Sequence, residues 1–587
     1  MINRFVTAGL VGVLMGCVIL SAARAAEDTP WPAPVPGHKP VGAGEHPRLF
    51  FRQGDLAALK ARAKTPEGQA ILKRLRVLLN GGDGESMPTA FNPNRGKQSK
   101  DGSGPTAEAP AGMYTISHTA GFGFLHLLTG EKKYADLARQ SMDKAFDEYR
   151  DRDNRYSFRY PYGALRAGVS LGWTAAGYDL AYEGWDPAYR QKVAQAIAGY
   201  NEGSNQSLAE LVRGSRHMPA SNHWGMQVGG GALAILAIMN DPGVDMGKIV
   251  PLLAESQRAM IRNMTEGFGD HGWFAEGDGT GSMSSQIVFV PALQAWRVAA
   301  GLDFIAPRPN GPWMTLKWIF LTVPNAKGEM DFPKRGAYPH NVWDRDGLSG
   351  GGYFGEGFAG VTAAQRPALL WFYNRHLRAL DEKNGTPFDT PSPYPHHAIL
   401  AFVNWPLGMP EANPADCIPR AVYDTKFGFA MCRNRWQDEK DIVVSVQTLS
   451  TRGWHKAPSS GEVEVWGLGR KRRWGNVRNG VKHFQAAADG SMSLTGGDGT
   501  SLAVDFSKAS GADAMLVMTG PGAPGDKTVK AGGTRFSFTF LTTGAEPKPA
   551  ADGDKVVIGG QTVTMKDGTF VLGKMAGPWT GPKAGGE

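Results

Sequence analysis

The sequence predicts a multidomain α+β protein in which an N-terminal (α/α) toroid, an incomplete barrel of helical hairpins, precedes a C-terminal antiparallel β-sandwich. Residues 121–260 repeat a Gly/Ala-rich helix, a turn and an amphipathic helix. Residues after about 415 break into short β-rich runs with turn residues between them. The chain has 587 residues, 42% of them hydrophobic, which is enough for more than one core.

Residues 1–25 have the pattern of a secretory signal peptide. Arg4 precedes an apolar stretch, and Ala23-Arg24-Ala25 matches a small-residue cleavage site, so we predict cleavage after Ala25. A membrane anchor is the alternative, but the apolar stretch is short for one, and no later segment is apolar enough to span a bilayer. We therefore expect a periplasmic or secreted protein. Residues 26–45 are rich in Pro and Gly and are predicted to form an extended leader.

The chain is mildly basic, with 63 Lys and Arg residues against 55 acidic residues. This balance permits an anionic substrate without requiring one. The only dense basic run, residues 469–474, is either a solvated strand edge or one wall of a groove for an acidic polymer. No nucleic-acid recognition motif accompanies it, so we expect no nucleic-acid partner. Cys417 and Cys432 remain after signal removal, either as a disulfide or as two free thiols.

Residues 46–410 are predicted to form the toroid. In each repeated pair, the small residues of the first helix allow close packing, so the first helix is expected to be the inner one. Stacked hairpins of this kind can close into a ring. Its cleft is then expected at the mouth where the loops before the inner helices converge. Residues 415–580 are predicted to form the sandwich, with a two-residue hairpin turn at Gly559-Gly560.

The triplet Asn222-His223-Trp224 precedes an apolar, Gly-rich helix and so lies at the predicted mouth. An amide can hydrogen-bond an acidic group, and an imidazole can take a proton. This pair suits proton abstraction next to a carboxylate, as in β-elimination from a uronic acid. A helix cap and a buried histidine are the structural alternative. His217 and Trp224 are assigned to substrate binding in the same cleft.

A Gly-rich stretch, residues 267–286, brings Trp273, Glu276 and Asp278 together before another helix. Loops with acids and Trp are frequently functional, although a solvated acidic loop is the alternative. We expect Glu276 to be catalytic and Trp273 and Asp278 to bind substrate. Two carboxylates are also what glycoside hydrolysis requires.

Two further stretches offer aromatic and basic residues. Residues 335–358 include His340 as a substrate ligand and Tyr353 as a candidate acid, since a phenol can transfer a proton. Residues 155–168 include Arg159, which can hold a carboxylate, and Tyr162, which can pack on a sugar face or replace Tyr353 as the phenol.

The histidines also raise the question of a metal. His340, His397 and His455 could share a metal with an acid, but their spacing defines no known site. We assign no metal ligand, leave the cofactor unknown, and note a structural zinc or calcium ion as an alternative.

Three stretches resemble heparinase II/III-like and alginate-lyase-like polysaccharide lyases. They are EHPRLFFRQGDLAALKARA (45–63), SNHWGMQVGGGALAILAI (221–238) and the strand-rich stretch 426–468. The resemblance implies a toroid followed by a β-sandwich, and cleavage of uronate polysaccharides by β-elimination. It also implies that Asn222 neutralises the uronate carboxylate, that His223 is a base or assists one, and that His455 faces the cleft.

The sequence departs from this family at two points. In the β-rich region, the family's His-x-His-x-Asp-like motif reads WHKAPSSGE (454–462) here. The family's catalytic Tyr falls in a Gly/acid loop that reads WFAEGDGTGSMSS here and contains no Tyr. Our first hypothesis is therefore a lyase acting on an acidic polysaccharide, with Tyr353 as the acid. The alternatives are a glycoside hydrolase using Glu276 and Asp278, and a glycan-binding protein without activity.

Overall fold

The computed structural model describes residues 31–96, 109–308, 310–325, 327, 329–333, 335–336, 342, 352–388, 392–453 and 455–580. The predicted signal peptide and His340 lie outside the described residues. No helix within the described part of the chain is long and apolar enough to cross a membrane.

The helices precede the main sheets along the chain. They are α1 (Leu56–Arg62), α2 (Pro66–Asn80), α3 (His118–Thr129), α4 (Lys132–Phe146), α5 (Gly163–Ala181), α6 (Pro187–Ala198), α7 (Leu208–Arg213), α8 (Asn222–Ile238), α9 (Met246–Arg262), α10 (Asp278–Gln286), α11 (Phe289–Ala295), α12 (Asn310–Leu321), α13 (Tyr353–Gly360), α14 (Arg366–His376), α15 (Arg378–Lys383), α16 (Pro395–Asn404) and α17 (Pro414–Cys417). Short 3-10 segments cover Gln53–Asp55 and Tyr182–Gly184, and π segments cover Asn263–Gly267 and Trp296–Ala300.

Turn chemistry sets the three predicted hairpins. The left-handed Gly130 separates α3 from α4. Asp186 caps α6, accepting a hydrogen bond from the Tyr189 N–H, and Pro187 occupies the first helical position. Asn240, with φ of 63°, turns the chain between α8 and α9. The predicted hairpins are confirmed, and α5 begins at Gly163, earlier than the repeat predicted to start at Ser170.

A cycle of contacts connects helices that we call the inner helices. The contacts run from α3 to α5, α5 to α8, α8 to α11, α11 to α13, α13 to α16, and from α16 back to α3. Each neighbouring pair needs close backbone approach, which small residues permit.

Glycine contacts show that the inner helices run in the same direction. A Cβ on Gly168 would lie 2.7 Å from Cα of Gln227, and one on Gly172 would lie 2.8 Å from Cα of Gly230. From Gly168 to Gly172 along α5, the contacted residue moves forward from Gln227 to Gly230 along α8, so the two helices are parallel. Glycine contacts also move forward along both helices between α3 and α5, between α8 and the α10–α11 pair, and between α13 and α16, so these pairs are parallel too. The N-terminal ends of α5, α8 and α10 therefore lie at one end of the cycle, whereas the first turn of α3 meets the last turns of α5.

Antiparallel sheets follow the helices. Their strands are β5 (Ala421–Asp424), β6 (Phe429–Arg433), β7 (Ile442–Gln447), β8 (Glu462–Gly467), β9 (Arg470–Asn476), β10 (Val481–Ala486), β11 (Met492–Gly496), β12 (Ser501–Asp505), β13 (Ala514–Thr519), β14 (Thr528–Ala531), β15 (Thr534–Leu541), β16 (Ala550–Asp552), β17 (Lys555–Ile558), β18 (Gln561–Lys566) and β19 (Thr569–Leu572). Two short pairs lie earlier, β1 (Ala33–Pro34) with β2 (Leu302–Asp303) and β3 (Val323–Pro324) with β4 (Met330–Asp331).

The later strands form three sheets, each antiparallel. The first has the order β5-β6-β7-β8-β9, the second β10-β11-β12-β13-β15-β14, and the third β16-β17-β18-β19. In the third sheet, Ile558 pairs with Gln561, so Gly559-Gly560 forms the predicted two-residue turn.

Alternating side chains build the layers. Along β6, Phe429 and Met431 join a core shared with the helices, while Ala430 and Cys432 join a core shared with the second sheet. Along β13, Leu516 faces the core between the first and second sheets, and Val517 faces the core of the third sheet. The first sheet is therefore covered on both faces. Cys417 and Cys432 are both free thiols.

A buried ionic network attaches the N-terminal segment to the helices. His46 Nδ1 lies 2.7 Å from Asp179, and Arg48 lies 2.6 Å from Asp241, with all four side chains fully buried. The Arg48 main-chain N–H also donates to Asp179 at 2.9 Å. The network joins the leader to the C-terminal ends of α5 and α8.

One region differs from the sequence prediction, and a second decides between two predicted alternatives. The second half of the Gly-rich stretch 267–286 is the helix α10 and is largely buried, because its small residues pack closely on α8 around Gly225 and Ser284. The basic run 469–474 lies in β9, an edge strand of the first sheet, and Arg473 pairs there with Glu462 and Glu464. Of the two alternatives for this run, a solvated strand edge or a groove wall, the structure has the strand edge.

Close packing of α5 on α8 predicts the effect of a single methyl group. A Cβ on Gly230 would overlap the carbonyl oxygen of Gly168. We expect Gly230→Ala to lower the free energy of unfolding by about 1–3 kcal/mol, as overpacking does. Chemical denaturation measures the change.

Gly54→Ala is the matched control, because a Cβ there would meet nothing within 4 Å. It should leave the free energy of unfolding unchanged or slightly higher. Equal stability of the two variants would contradict the close approach of α5 and α8.

Candidate active site

Polar side chains collect where the parallel helices α5 and α8 begin. Ser221 caps α8, its side chain accepting a hydrogen bond from the His223 N–H. Asn222 is buried and His223 is half-buried. Arg166 lies in the first turn of α5, at the same level as the start of α8. The expected mouth therefore carries an amide, an imidazole and a guanidinium.

His223 is held in the neutral state. Burial, followed by the electrostatic effects of His217, Arg166 and His455, lowers the pKa of His223 to about 4. Its ring lies 4.4 Å from that of His217, which is bonded to Gln227 at 2.8 Å. At neutral pH the imidazole is therefore unprotonated and can accept a proton.

Arg166 and Tyr156 are site residues that the sequence analysis did not select. Arg166 is buried, donates to the Tyr156 hydroxyl and lies 4.9 Å above the Tyr156 ring. Its Nε atom is buried and has no partner among the described residues. A sequence signal existed, because Arg166 is the single cation of a Gly/Ala-rich helix and its immediate neighbours are small or apolar.

The Asn222 side chain is available for a ligand. Its Oδ1 atom is buried and without a partner in the described part of the protein. Among the described residues, its Nδ2 atom has one hydrogen-bond partner, the Met283 sulfur at 3.9 Å. Either end of the amide can therefore bond to a bound group, whichever way the amide is oriented.

Glu276 connects the two parts of the chain at this site. Its fully buried carboxylate accepts hydrogen bonds from the Asn222 N–H at 3.0 Å and from the His455 N–H at 3.4 Å. A Cβ on Gly453 would lie 2.6 Å from the carboxylate, and the Arg452 N–H donates to Ala275 at 2.6 Å. The loop between β7 and β8 therefore rests on Glu276 and brings His455 to the mouth.

Asp278 and Trp273 have structural contacts. Asp278 forms a buried ion pair with Lys317 at 2.8 Å and accepts from the Arg335 N–H at 2.9 Å. Trp273 is fully buried and stacks on Phe429, with ring centroids 4.2 Å apart. Neither side chain is exposed to a ligand, so we leave both out of the site.

Trp224 and Tyr353 are also buried. The Trp224 indole donates to Ala259 at 3.0 Å and packs against Gly214. The Tyr353 hydroxyl donates to the Thr315 carbonyl at 2.7 Å inside the core shared with the first sheet. This bond uses the phenolic proton that the acid role would require.

Arg159 and Tyr162 lie in the loop before α5, at the rim of the mouth. Arg159 pairs with Glu202 at 3.0 Å, and Tyr162 is 37% exposed. Of the predicted site residues, the structure therefore places Asn222, His223, His217, Glu276 and His455 together, with Arg159 and Tyr162 at the edge.

The histidines proposed as metal ligands are divided between two places. His397 is bonded to Ser392 at 2.5 Å and lies 3.2 Å from Glu356 in the interior, whereas His455 lies by Glu276. Within the described ranges, no three His, Cys, Asp or Glu side chains are grouped to hold a metal ion. No step below is assigned to a metal.

No protein-family description matches this sequence, and no curated protein matches it. Among solved structures, a heparan sulfate lyase HepC mutant from Pedobacter heparinus has a TM-score of 0.36 and 10% identity, covering 76% of this chain and 81% of that chain. A heparinase III has a TM-score of 0.34 and 11% identity, covering 93% of this chain and 80% of that chain. At this similarity the site itself must support any function.

The charges around His223 predict its titration. We expect the His223 ring to titrate near pH 4, below the ordinary value of 6.5 for histidine. Arg166→Gln removes one of the positive charges and should raise this midpoint. NMR of protein labelled at the histidine rings measures both midpoints, with His223→Ala identifying the signal.

The lowered pKa of His223 also determines how the stability of the fold depends on pH. Between about pH 6.5 and about pH 4 the unfolded chain binds a proton at His223 that the folded chain does not. Acidification through this window therefore destabilises the fold. Lys248→Gln changes a highly exposed residue of α9 and should not move the midpoint of His223. A His223 midpoint of 6.5 in the wild-type protein would show that the ring is neither buried nor close to positive charge.

Removing the Glu276 carboxylate should weaken the fold as well as the site. Glu276→Ala leaves buried N–H groups of Asn222 and His455 without their acceptor, so we expect a loss of about 1–3 kcal/mol in the free energy of unfolding. Urea denaturation measures it. Glu439→Ala, at an exposed position, should change it by less than about 0.5 kcal/mol. Similar values for both variants would mean that Glu276 does not hold the loop.

Proposed function

We propose that the protein is a polysaccharide lyase that cleaves a uronic-acid-containing glycan by β-elimination at the mouth formed by α5 and α8. The observation that carries the proposal is the neutral imidazole of His223 beside the available amide of Asn222 and the buried guanidinium of Arg166. A base next to carboxylate-binding donors is what abstraction of a proton α to a carboxylate requires.

Asn222 and Arg166 hold the uronate carboxylate. The amide Nδ2 and the unpartnered guanidinium Nε donate hydrogen bonds to its oxygens. As the neighbouring carbon loses its proton, negative charge moves onto these oxygens. Fixed donors at this position stabilise that charge more than they stabilise the ground state.

His223 takes the proton from the carbon that bears the carboxylate. The electron pair of that C–H bond forms a carbon–carbon double bond, and the bond from the adjacent carbon to the glycosidic oxygen breaks. The imidazolium is destabilised by His217, Arg166 and His455, so it readily returns the proton to the departing oxygen. We assign no acid role to Tyr353, whose hydroxyl is bonded to Thr315.

The proposal includes the architecture and the location. The cycle of inner helices supports an (α/α) toroid over residues 46–410, and the core between the first two sheets supports a β-sandwich over residues 415–580. The signal-like residues 1–25 support a periplasmic or secreted protein with an acidic polysaccharide as its substrate.

The test uses purified protein with alginate, polygalacturonate, hyaluronan and heparan sulfate as separate substrates. We expect one of them to give the ultraviolet absorbance of a conjugated unsaturated uronate. His223→Ala should lower that rate by about 10²–10⁴-fold, the contribution of a general base. Asn222→Ala should lower it too, because the carboxylate loses a donor.

Tyr353→Phe is the control and should retain the rate. New reducing ends without the absorbance would contradict elimination and indicate hydrolysis, in which case Glu276→Gln or Asp278→Asn should abolish cleavage. Binding of a polymer without any cleavage would indicate a glycan-binding protein.

A further inference from the structure

The loop before α5 presents the most exposed aromatic side chains of the described residues. Tyr160 is 40% exposed and Tyr162 is 37% exposed, and no Phe, Trp or other Tyr in the described ranges is exposed to this degree. Met218, 48% exposed, lies in the corresponding loop before α8. Two exposed aromatic side chains in one short loop indicate a contact surface, whereas scattered ones do not.

The backbone of this loop is held in an unfavourable conformation. Tyr160 has a φ of 55°, a left-handed conformation that costs a residue with a side chain of the order of 1–3 kcal/mol. Buried groups impose it: Arg150 donates to the Tyr160 carbonyl at 3.0 Å, and the Tyr160 N–H donates to Glu202 at 2.9 Å. The protein therefore uses buried charges to fix an exposed aromatic ring.

A pocket adjoins the loop on the side of α6. Its volume is about 320 Å³, and its lining includes Phe146, Phe158, Tyr200, Arg159, Lys192 and Glu202. The three aromatic rings contact one another edge to face, 5.2 and 5.1 Å apart. The Tyr200 hydroxyl is buried in the lining and has no partner among the described residues. This size and mixture suit a single sugar ring.

The charges of the pocket favour an acidic ligand. Lys192 is mostly exposed at its edge, with an Asp143 oxygen 3.9 Å away. Glu202 is already engaged by Arg159 and by the Tyr160 N–H. A carboxylate or sulfate can approach Lys192 and the exposed part of Arg159, which can pair with two anions.

We propose that the loop Arg159–Tyr162 and this pocket form a second sugar-binding subsite, which holds a neighbouring unit of the same acidic glycan. The subsite rests on the proposed function, because α5 and α8 are parallel and place this loop at the mouth that carries His223. The rings of Tyr160 and Tyr162 contact the sugar faces, Lys192 pairs with the acidic group, and the Tyr200 hydroxyl donates a hydrogen bond within the pocket.

The test measures binding in a variant that does not consume the glycan. His223→Ala protein is run on native gels that contain alginate, polygalacturonate, hyaluronan or heparan sulfate, with neutral dextran as reference. One acidic polymer should retard it and dextran should not. Adding Tyr160→Ala or Lys192→Ala should weaken this binding about tenfold, the effect of losing one central contact residue.

Matched variants separate the subsite from general effects. Tyr160→Phe keeps the ring and should bind like its parent. Lys248→Ala, 83% exposed on α9, and Leu380→Ala, 46% exposed on α15, should also bind like the parent. The proposal would be overturned if the acidic polymer retarded the Tyr160→Ala and Lys192→Ala variants as strongly as it retards the His223→Ala parent. It would also be overturned if none of the acidic polymers retarded the His223→Ala parent.

The outcome is distinguishable from failure of the proposed function. Wild-type protein that cleaves no polymer by elimination, together with binding that Tyr160→Ala weakens, would remove the lyase and leave the subsite. Elimination by wild-type protein, with binding that is insensitive to Tyr160 and Lys192, would remove the subsite and leave the lyase.

Discussion

The candidate site depends on one buried carboxylate. A buried carboxylate without partners is very costly, so Glu276 is tolerable only because N–H groups surround it. One of these belongs to Asn222, at the N-terminal end of α8, where the helix dipole also favours negative charge. Another belongs to His455, in the loop between β7 and β8. The amide and imidazole of α8 and the histidine of the strand-rich region are therefore positioned by the same group.

Parallel packing of the inner helices explains why polar groups meet at one end. Glycines at the α5–α8 contact remove the side chains that would separate the backbones, and the two helices advance together. The loops that enter α5 and α8 therefore lie at the same end, and such loops can vary while the helices keep the scaffold constant. The buried His46 and Asp179 pair lies toward the opposite ends of these helices, where it attaches the N-terminal segment to α5.

Much of the fold was predictable because its signals are local. Helix periodicity, the cap at Asp186 and the turn at Gly559-Gly560 are short-range features, and the change from helices to strands after Cys417 follows composition. The helix α10 was not predicted, because Gly and Ser disfavour an isolated helix and only packing on α8 stabilises it. Asn222 and His223 were found from their place before a helix. Arg166 and the role of Glu276 depend on contacts between distant segments, which no local pattern contains.

The electrostatics of the site relate the substrate's charge to the behaviour of the base. In the free protein, Arg166, His217 and His455 act together with burial to keep His223 unprotonated. Such an imidazole is a weak base, and a neutral ligand would leave it so. A bound carboxylate would offset the neighbouring positive charge and raise the basicity of His223 at the moment when a proton must be removed. A neutral sugar in the same position would bring no such change. Under the proposed function, the arrangement would favour acidic glycans at the chemical step as well as in binding, because the group that is recognised would also activate the base.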